Sequence, residues 1–373
     1  MDSFKVDGII EYAGYIRFTK LSEDADHFVL AAVFEVQLPE GTPKVDYGWG
    51  EIQDNRRVPF IVWKMTIERS ENLKYTLINI ERIDDTKIGL PPVDSMEEYR
   101  KNAGIVEPSE NIKYEINDET LRVTYDNGQN WQVVPVAIEK LFVMVYNGSK
   151  QLLIDGSHVI TPERTAFVLE ENLIVGPVDY NTILSVLIST DKGESWKEVM
   201  VSDKLPILRK RILGFTSEQD GYLIVTGDKT MSWEANYIFK TNDGGQSWSN
   251  VGSVDDTNRL IMDGGFITDQ LGFISFEGYY YEEQPPGPNL YRTTDGGSNW
   301  EHVEAPIPEE YQGFFTIAET PTFQGTEGTL LVNQGPVGDY LGGKVLAKFT
   351  STNQGKTWSF SGLVDPNGVL GVR

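Results

Sequence analysis

Three arginines stand out for the chemistry their spacing allows. Arg164, Arg211 and Arg259 lie 47 and 48 residues apart, each preceding what reads as the first strand of a successive unit, which would start all three on the same face as the aromatic-bearing loops. Guanidinium groups converging on one point make a trap for a carboxylate or phosphate. In a chain of net charge −24 such a trap would be a local exception. The competing reading places Arg164 and Arg211 on surface connections, paired with nearby acids such as Glu163. A second set of candidates mixes aromatic rings with carboxylates: Asp179 and Tyr180; Asp228, Lys229, Trp233 and Glu234; Tyr279, Tyr280, Tyr281, Glu282 and Glu283 ahead of Pro285-Pro286; and Asp339 and Tyr340. Rings beside carboxylates suit the faces and hydroxyls of a sugar, or a peptide chain. The plainer alternative is solvated loops with scattered tyrosines.

Other chemistries are excluded or unsupported. The chain has no cysteine, which removes thiol nucleophiles, disulfides and cysteine metal sites. His27, His158 and His302 are scattered, with no His-Glu-x-x-His pair, and no metal or other cofactor is expected. Gly338–Lys344 has the spacing of a phosphate-binding loop, but Val345 stands where Ser or Thr is required. The run 242–245 lacks the spaced oxygen ligands of a calcium loop, and no Gly-x-Ser-x-Gly elbow occurs. The balance of 32 basic against 56 acidic residues argues against nucleic acid and anionic membranes as partners. The longest apolar run, Phe28–Phe34, is far short of the ~20 residues that span a bilayer, and Met1–Ile10 has no signal-peptide pattern.

The elements that must position these residues come from a repeat. Thr124–Trp131, Ser189–Trp196, Thr241–Trp248, Thr293–Trp300 and Ser351–Trp358 share the template Ser/Thr-x-Asp-x-Gly-x-(Ser/Thr/Asn)-Trp, with Asn353 replacing Asp in the last copy. The tryptophans recur at intervals of 65, 52, 52 and 58 residues, and occupy five of the eight in the chain. A carboxylate early in a bend accepts backbone N–H bonds, a later glycine supplies φ > 0, and the indole buries itself below. Strand-like stretches flank each turn, and two more precede each hairpin, such as Arg211–Phe215 with Gly221–Thr226 and Leu260–Ile267 with Gly272–Glu277. Four short strands per unit predict a blade of a β-propeller.

These five motifs resemble the Asp-box, or BNR, repeats of sialidase-like propellers, a likeness that covers the chain from about Asn111 onward. The fold expected is mainly β: a propeller with five Asp-box blades, and room for five to seven, after a small β or α+β N-terminal domain. In such a blade the motif lies on the 3–4 turn, on the face opposite the 2–3 loops, and is structural. The aromatic residues above then fall on the other face. The resemblance also raises a sialidase-like glycoside hydrolase, whose arginine cluster would hold a substrate carboxylate and whose tyrosine nucleophile, paired glutamate and acid/base would be sought in Tyr280, Glu282 and Asp228. The family's Arg-Ile-Pro motif has only a loose echo at Arg57-Val58-Pro59. With no complete catalytic set, the leading expectation is a non-catalytic propeller binding a carbohydrate or protein ligand through Tyr180, Trp233, Tyr279, Tyr281 and Tyr340, with Arg164, Arg211 and Arg259 as further contacts. The resemblance implies a secreted or cell-surface setting.

The domain boundaries expected are 1–88, a Pro-containing linker at 89–110, and the propeller at 111–373. The competing reading assigns 1–88 to one or two further blades. Within the linker, Ser95 and Glu98 form a capping-box pattern and Gly104 a stop, so one short helix is expected. The first unit is short of one strand, which Val369–Arg373 is expected to supply.

Overall fold

The computed structural model describes residues 10–42, 52–53, 55–70, 74–83, 91–105, 111–144, 150–152, 155–174, 180–230, 233–254, 259–277, 287–336, 338, 340 and 344–368. The protein is mainly β. Three antiparallel meanders have four strands each: β11 (His158–Ile160), β12 (Thr165–Ile174), β13 (Tyr180–Ser189) and β14 (Lys197–Leu205); β15 (Leu208–Phe215), β16 (Gly221–Thr230), β17 (Trp233–Thr241) and β18 (Ser249–Gly252); and β19 (Ile261–Phe266), β20 (Gly272–Phe276), β21 (Asn289–Thr293) and β22 (Glu301–Val303). A last sheet holds β23 (Ile317–Ala318), β24 (Thr322–Gln324), β25 (Glu327–Asn333), β26 (Leu346–Ser351) and β27 (Ser359–Asp365). Consecutive sheets meet through their first strands, β11 with β15, β15 with β19 and β19 with β23. Meander sheets stacked in this way form a β-propeller.

A three-stranded sheet, β6 (Lys113–Asn117), β7 (Thr120–Thr124) and β8 (Gln132–Val133), carries the first tryptophan turn between its last two strands. Its first strand is missing among the described residues, as expected, but the tail proposed to complete it lies outside them. A short hairpin, β9 (Phe142–Met144) with β10 (Lys150–Leu152), follows.

The repeated turns have one geometry. In the third, Thr241 Oγ1 donates to Asp243 Oδ1 at 2.7 Å and accepts from Gly245 N at 2.9 Å, while Ser247 N donates to the same carboxylate oxygen at 2.9 Å. The other copies repeat these bonds, and the Asn353 copy keeps them because the amide Oδ1 still accepts from Thr357 N at 3.0 Å. Among the described residues, four of the turns are also tied by a backbone bond to the 1–2 end of their own sheet, as in Gly244 N to Gln219 O and Gly296 N to Gln270 O. The ring of Trp248 packs on Phe215, that of Trp300 on Phe266 and that of Trp358 on Phe273. Gly355 has φ +74°, and a Cβ there would come 2.5 Å from the Phe273 ring of the preceding sheet. The motif therefore joins neighbouring sheets and closes its own hairpin.

These hydrogen bonds hold the turn carboxylates in their charged form. The Ser195 hydroxyl and amide pull Asp191 down to about 2, and those of Ser247 do the same for Asp243. A carboxylate depressed in the folded state stabilises the fold above its unfolded pKa, near 3.8, and loses that contribution as pH falls through the folded value. Asp243→Asn keeps the bonding pattern seen at Asn353 but not the charge, so it is expected to melt below the parent at pH 7 and to converge on it between about pH 4 and pH 2, its acid slope smaller by about one proton's worth. Thermal melts across this range check it; an unchanged acid slope refutes it.

N-terminal to these sheets in the chain, β1 (Tyr12–Glu23), β2 (His27–Gln37), β3 (Arg57–Arg69) and β4 (Tyr75–Arg82) form a four-stranded antiparallel meander with longer strands. It has a cluster of its own around Phe34, Val36, Val58 and Ile61. Ala31, Val33 and Val62 instead join the cluster of Phe315, Phe349 and Leu363 in the last sheet. The helix expected in the connecting segment is α1 (Met96–Asn102), capped by Ser95 and Glu98. The segment does more than connect: β5 (Val93–Ser95) pairs in parallel with β27 and covers its outer edge. Asp94 pairs there with Lys348, and Tyr99 packs with Leu331, Leu346 and Val364.

Candidate functional site

The sheets have two ends. The tryptophan turns and 1–2 turns share one, and the 2–3 connections lie at the other. At the second end, between the third and fourth units, Glu234 is fully buried. Its carboxylate accepts from Arg209 Nε at 2.5 Å and Nη2 at 2.6 Å, and from Ile261 N at 2.7 Å; Arg209 Nη2 also reaches Ile261 O at 2.7 Å. This bidentate clasp ties β15, β17 and β19 together. Glu234 is thus a structural anchor and unavailable to a ligand. Its neighbour Trp233, which opens β17, is 37% exposed. Asp228 is also exposed, at a bulge between Gly227 and Thr230 where its φ is +53°.

Deeper in, a polar layer separates the sheets near their first strands. Burial lowers the Lys210 ammonium against the pull of Asp263. Asp263 Oδ2 accepts from Thr320 N at 2.8 Å and Thr320 Oγ1 at 3.3 Å. Burial raises the Glu319 carboxyl, although Asn333 Nδ2 donates to it at 3.2 Å. Thr226 lies opposite Lys210 and Ser275 opposite Asp263 in the strand registers, and both hydroxyls are buried without a hydrogen-bond partner among the described residues. The layer offers one cation, two carboxylates and two hydroxyls to a polar group. Sequence reasoning centred on loops missed it; the available signal was the charge run Arg209–Arg211 at the start of one first strand and Asp263 inside the next.

The three arginines do not form one trap. The 165–174 run ahead of which Arg164 lies is the second strand of its sheet, because the short β11 comes before it. Arg164 therefore sits in the 1–2 turn, at the tryptophan-turn end. Its guanidinium stacks 3.9 Å from the Phe215 ring centroid and donates to Ser217 O and Glu218 O of the next sheet. Arg211 lies within β15, 1% exposed, as the counter-ion of the equally buried Glu170 in β12. Arg259 is partly buried two residues before β19. The cause is register: one extra hairpin shifts Arg164 to the opposite end, and strand alternation turns Arg211 into a sheet interface.

The aromatic candidates are divided too. Tyr340 packs at 5.1 Å from Phe314, 5.6 Å from Phe315 and 5.9 Å from Tyr311, so its ring is spent on a half-buried cluster. Tyr180 is the first residue of β13. Asp179, Tyr279, Tyr280, Tyr281, Glu282, Glu283 and Asp339 lie outside the described residues. Among the described residues no group of three or more His, Asp or Glu is placed to hold a metal, and no helix is long and apolar enough to cross a membrane.

No protein-family model matches the chain, and no curated protein does. Among solved structures, it is similar to a GH74 xyloglucanase from Xanthomonas campestris, with a TM-score of 0.38 and 14% identity over 94% of this chain and 47% of that one. It spans about half the length of that enzyme. It is also similar to YCF48 bound to D1 peptide, with a TM-score of 0.37 and 13% identity over 97% of this chain and 83% of that one. A protein of unknown function from Dyadobacter fermentans gives 0.34 and 14% identity over 94% of each chain.

Proposed function

We propose that this protein is a non-catalytic Asp-box propeller that binds a carbohydrate or protein ligand on the face opposite its tryptophan turns. The observation that carries this reading is Trp233: a large ring left exposed on the rim of a 2–3 connection, beside a fully buried glutamate that fixes its backbone. Tryptophan exposed on a rigid base is a common binding anchor, since little entropy is lost when a partner covers it. The sialidase-like alternative is weakened because Arg164 and Arg211 are each committed to protein partners. The reading includes a small N-terminal domain at 1–88, a propeller from 111, and a secreted or cell-surface setting.

A glycan array and a peptide array probed with the whole chain test the proposal. Trp233→Ala is expected to weaken the selected ligand at least tenfold while leaving the melting temperature within about 2 °C of the parent. Turnover of a fluorogenic sialoside, or unaltered ligand binding by the variant, would overturn it.

A further inference from the structure

The tryptophan-turn face, structural in its hydrogen bonding, also carries a cavity. Between the sheet β11–β14 and the sheet β15–β18 lies a groove of about 990 Å³. Its rim is polar: the exposed side chains of Thr190, Gln219 and Gln246 line it and make no hydrogen bond with the protein among the described residues. Trp196 forms part of the wall, and its indole N–H is already committed to Gly193 O at 3.1 Å, so what the ring still offers is its apolar surface. Arg164, more than nine-tenths buried, lines the groove with both Nη groups engaged, while its Nε–H has no acceptor among the described residues.

Charge narrows the ligand. Glu163, Glu218 and Asp243 in the lining stand against Arg164 and Lys197, an excess of one negative charge, and the Asp243 carboxylate is spent on the hydrogen bonds of its own turn, so the groove is close to balanced in a chain of net charge −24. That balance disfavours polyanions and polycations, whose binding needs an excess of one sign. Amides and a hydroxyl around an aromatic ring suit an uncharged molecule rich in hydroxyls, and the volume is at the upper end of small-molecule sites. A smaller groove of about 350 Å³ between β15–β18 and β19–β22, lined by Trp248, Asn242 and Gln270, continues along the same face.

We propose that the larger groove is a second binding site, for a neutral oligosaccharide, with Gln219 and Gln246 bonding its hydroxyls and Trp196 contacting a ring. It is independent of the ligand assigned to the opposite face. Calorimetric titration of the whole chain with cellohexaose, xylohexaose and mannohexaose tests it, alongside Gln219→Ala/Gln246→Ala and Trp233→Ala. Both glutamines are exposed, so the double variant is expected to melt like the parent. At least one hexasaccharide should bind the parent, bind the glutamine variant at least tenfold more weakly, and bind Trp233→Ala unchanged. No binding of any of the three overturns the proposal, as does binding that depends on Trp233 and not on the glutamines.

Discussion

Arg211→Ala is expected to remove about 3–5 kcal/mol of folding stability, and Glu170→Ala a similar amount. Arg211 and Glu170 are almost completely buried and each is the other's counter-charge across the interface of two sheets. Burial already pushes the Glu170 carboxyl up, against the attraction of Arg211. Taking away either partner strands a charge where water does not reach. Replacing both with apolar residues of similar volume, as in Arg211→Met/Glu170→Leu, is expected to restore most of the loss, because no stranded charge remains. Equilibrium denaturation of the parent, Arg211→Met, Glu170→Leu and the double variant measures the coupling. Losses that simply add would show that the pair does not act as a unit.

Glu234→Ala is expected to be of comparable severity, about 3–5 kcal/mol, but not to be rescued in the same way. Its carboxylate neutralises Arg209 and also satisfies the buried amide of Ile261. In Arg209→Met/Glu234→Leu the charge problem is gone, yet the Ile261 N–H has lost its acceptor, which retains a cost of about 1–3 kcal/mol. The same substitution frees the start of β17 and is expected to weaken ligand binding through Trp233, separating it from Arg211→Ala, which should lose stability alone. Full recovery by the apolar pair would refute the role given to the Ile261 amide.

Much of the architecture was legible in the chain. The tryptophan turns are local: every bond that defines one spans four residues or fewer, so residue type at fixed spacing specifies them. The cap of α1 was legible for the same reason, with Ser95 and Glu98 three residues apart. What was misjudged involved longer range. The β11–β12 turn hinges on Thr161, whose hydroxyl accepts from Arg164 N at 3.1 Å, and an inner strand of three residues leaves too short an apolar run to announce itself. Missing it moved Arg164 to the wrong end of its sheet. Tyr340 offered no local sign of its ring partners, which lie 25 to 29 residues earlier.

By itself, then, the sequence determined a series of antiparallel hairpins closed by carboxylate turns, because those interactions are made within a single bend. Only the tertiary structure decided which charges are exposed to a ligand and which are consumed: Arg164 over Phe215, Arg211 with Glu170, Arg209 with Glu234. A charged side chain in a strand faces one neighbouring sheet or the other according to register, and a single bulge or added hairpin changes that choice. The partner that then meets it, dozens of residues away, leaves no mark on the local pattern.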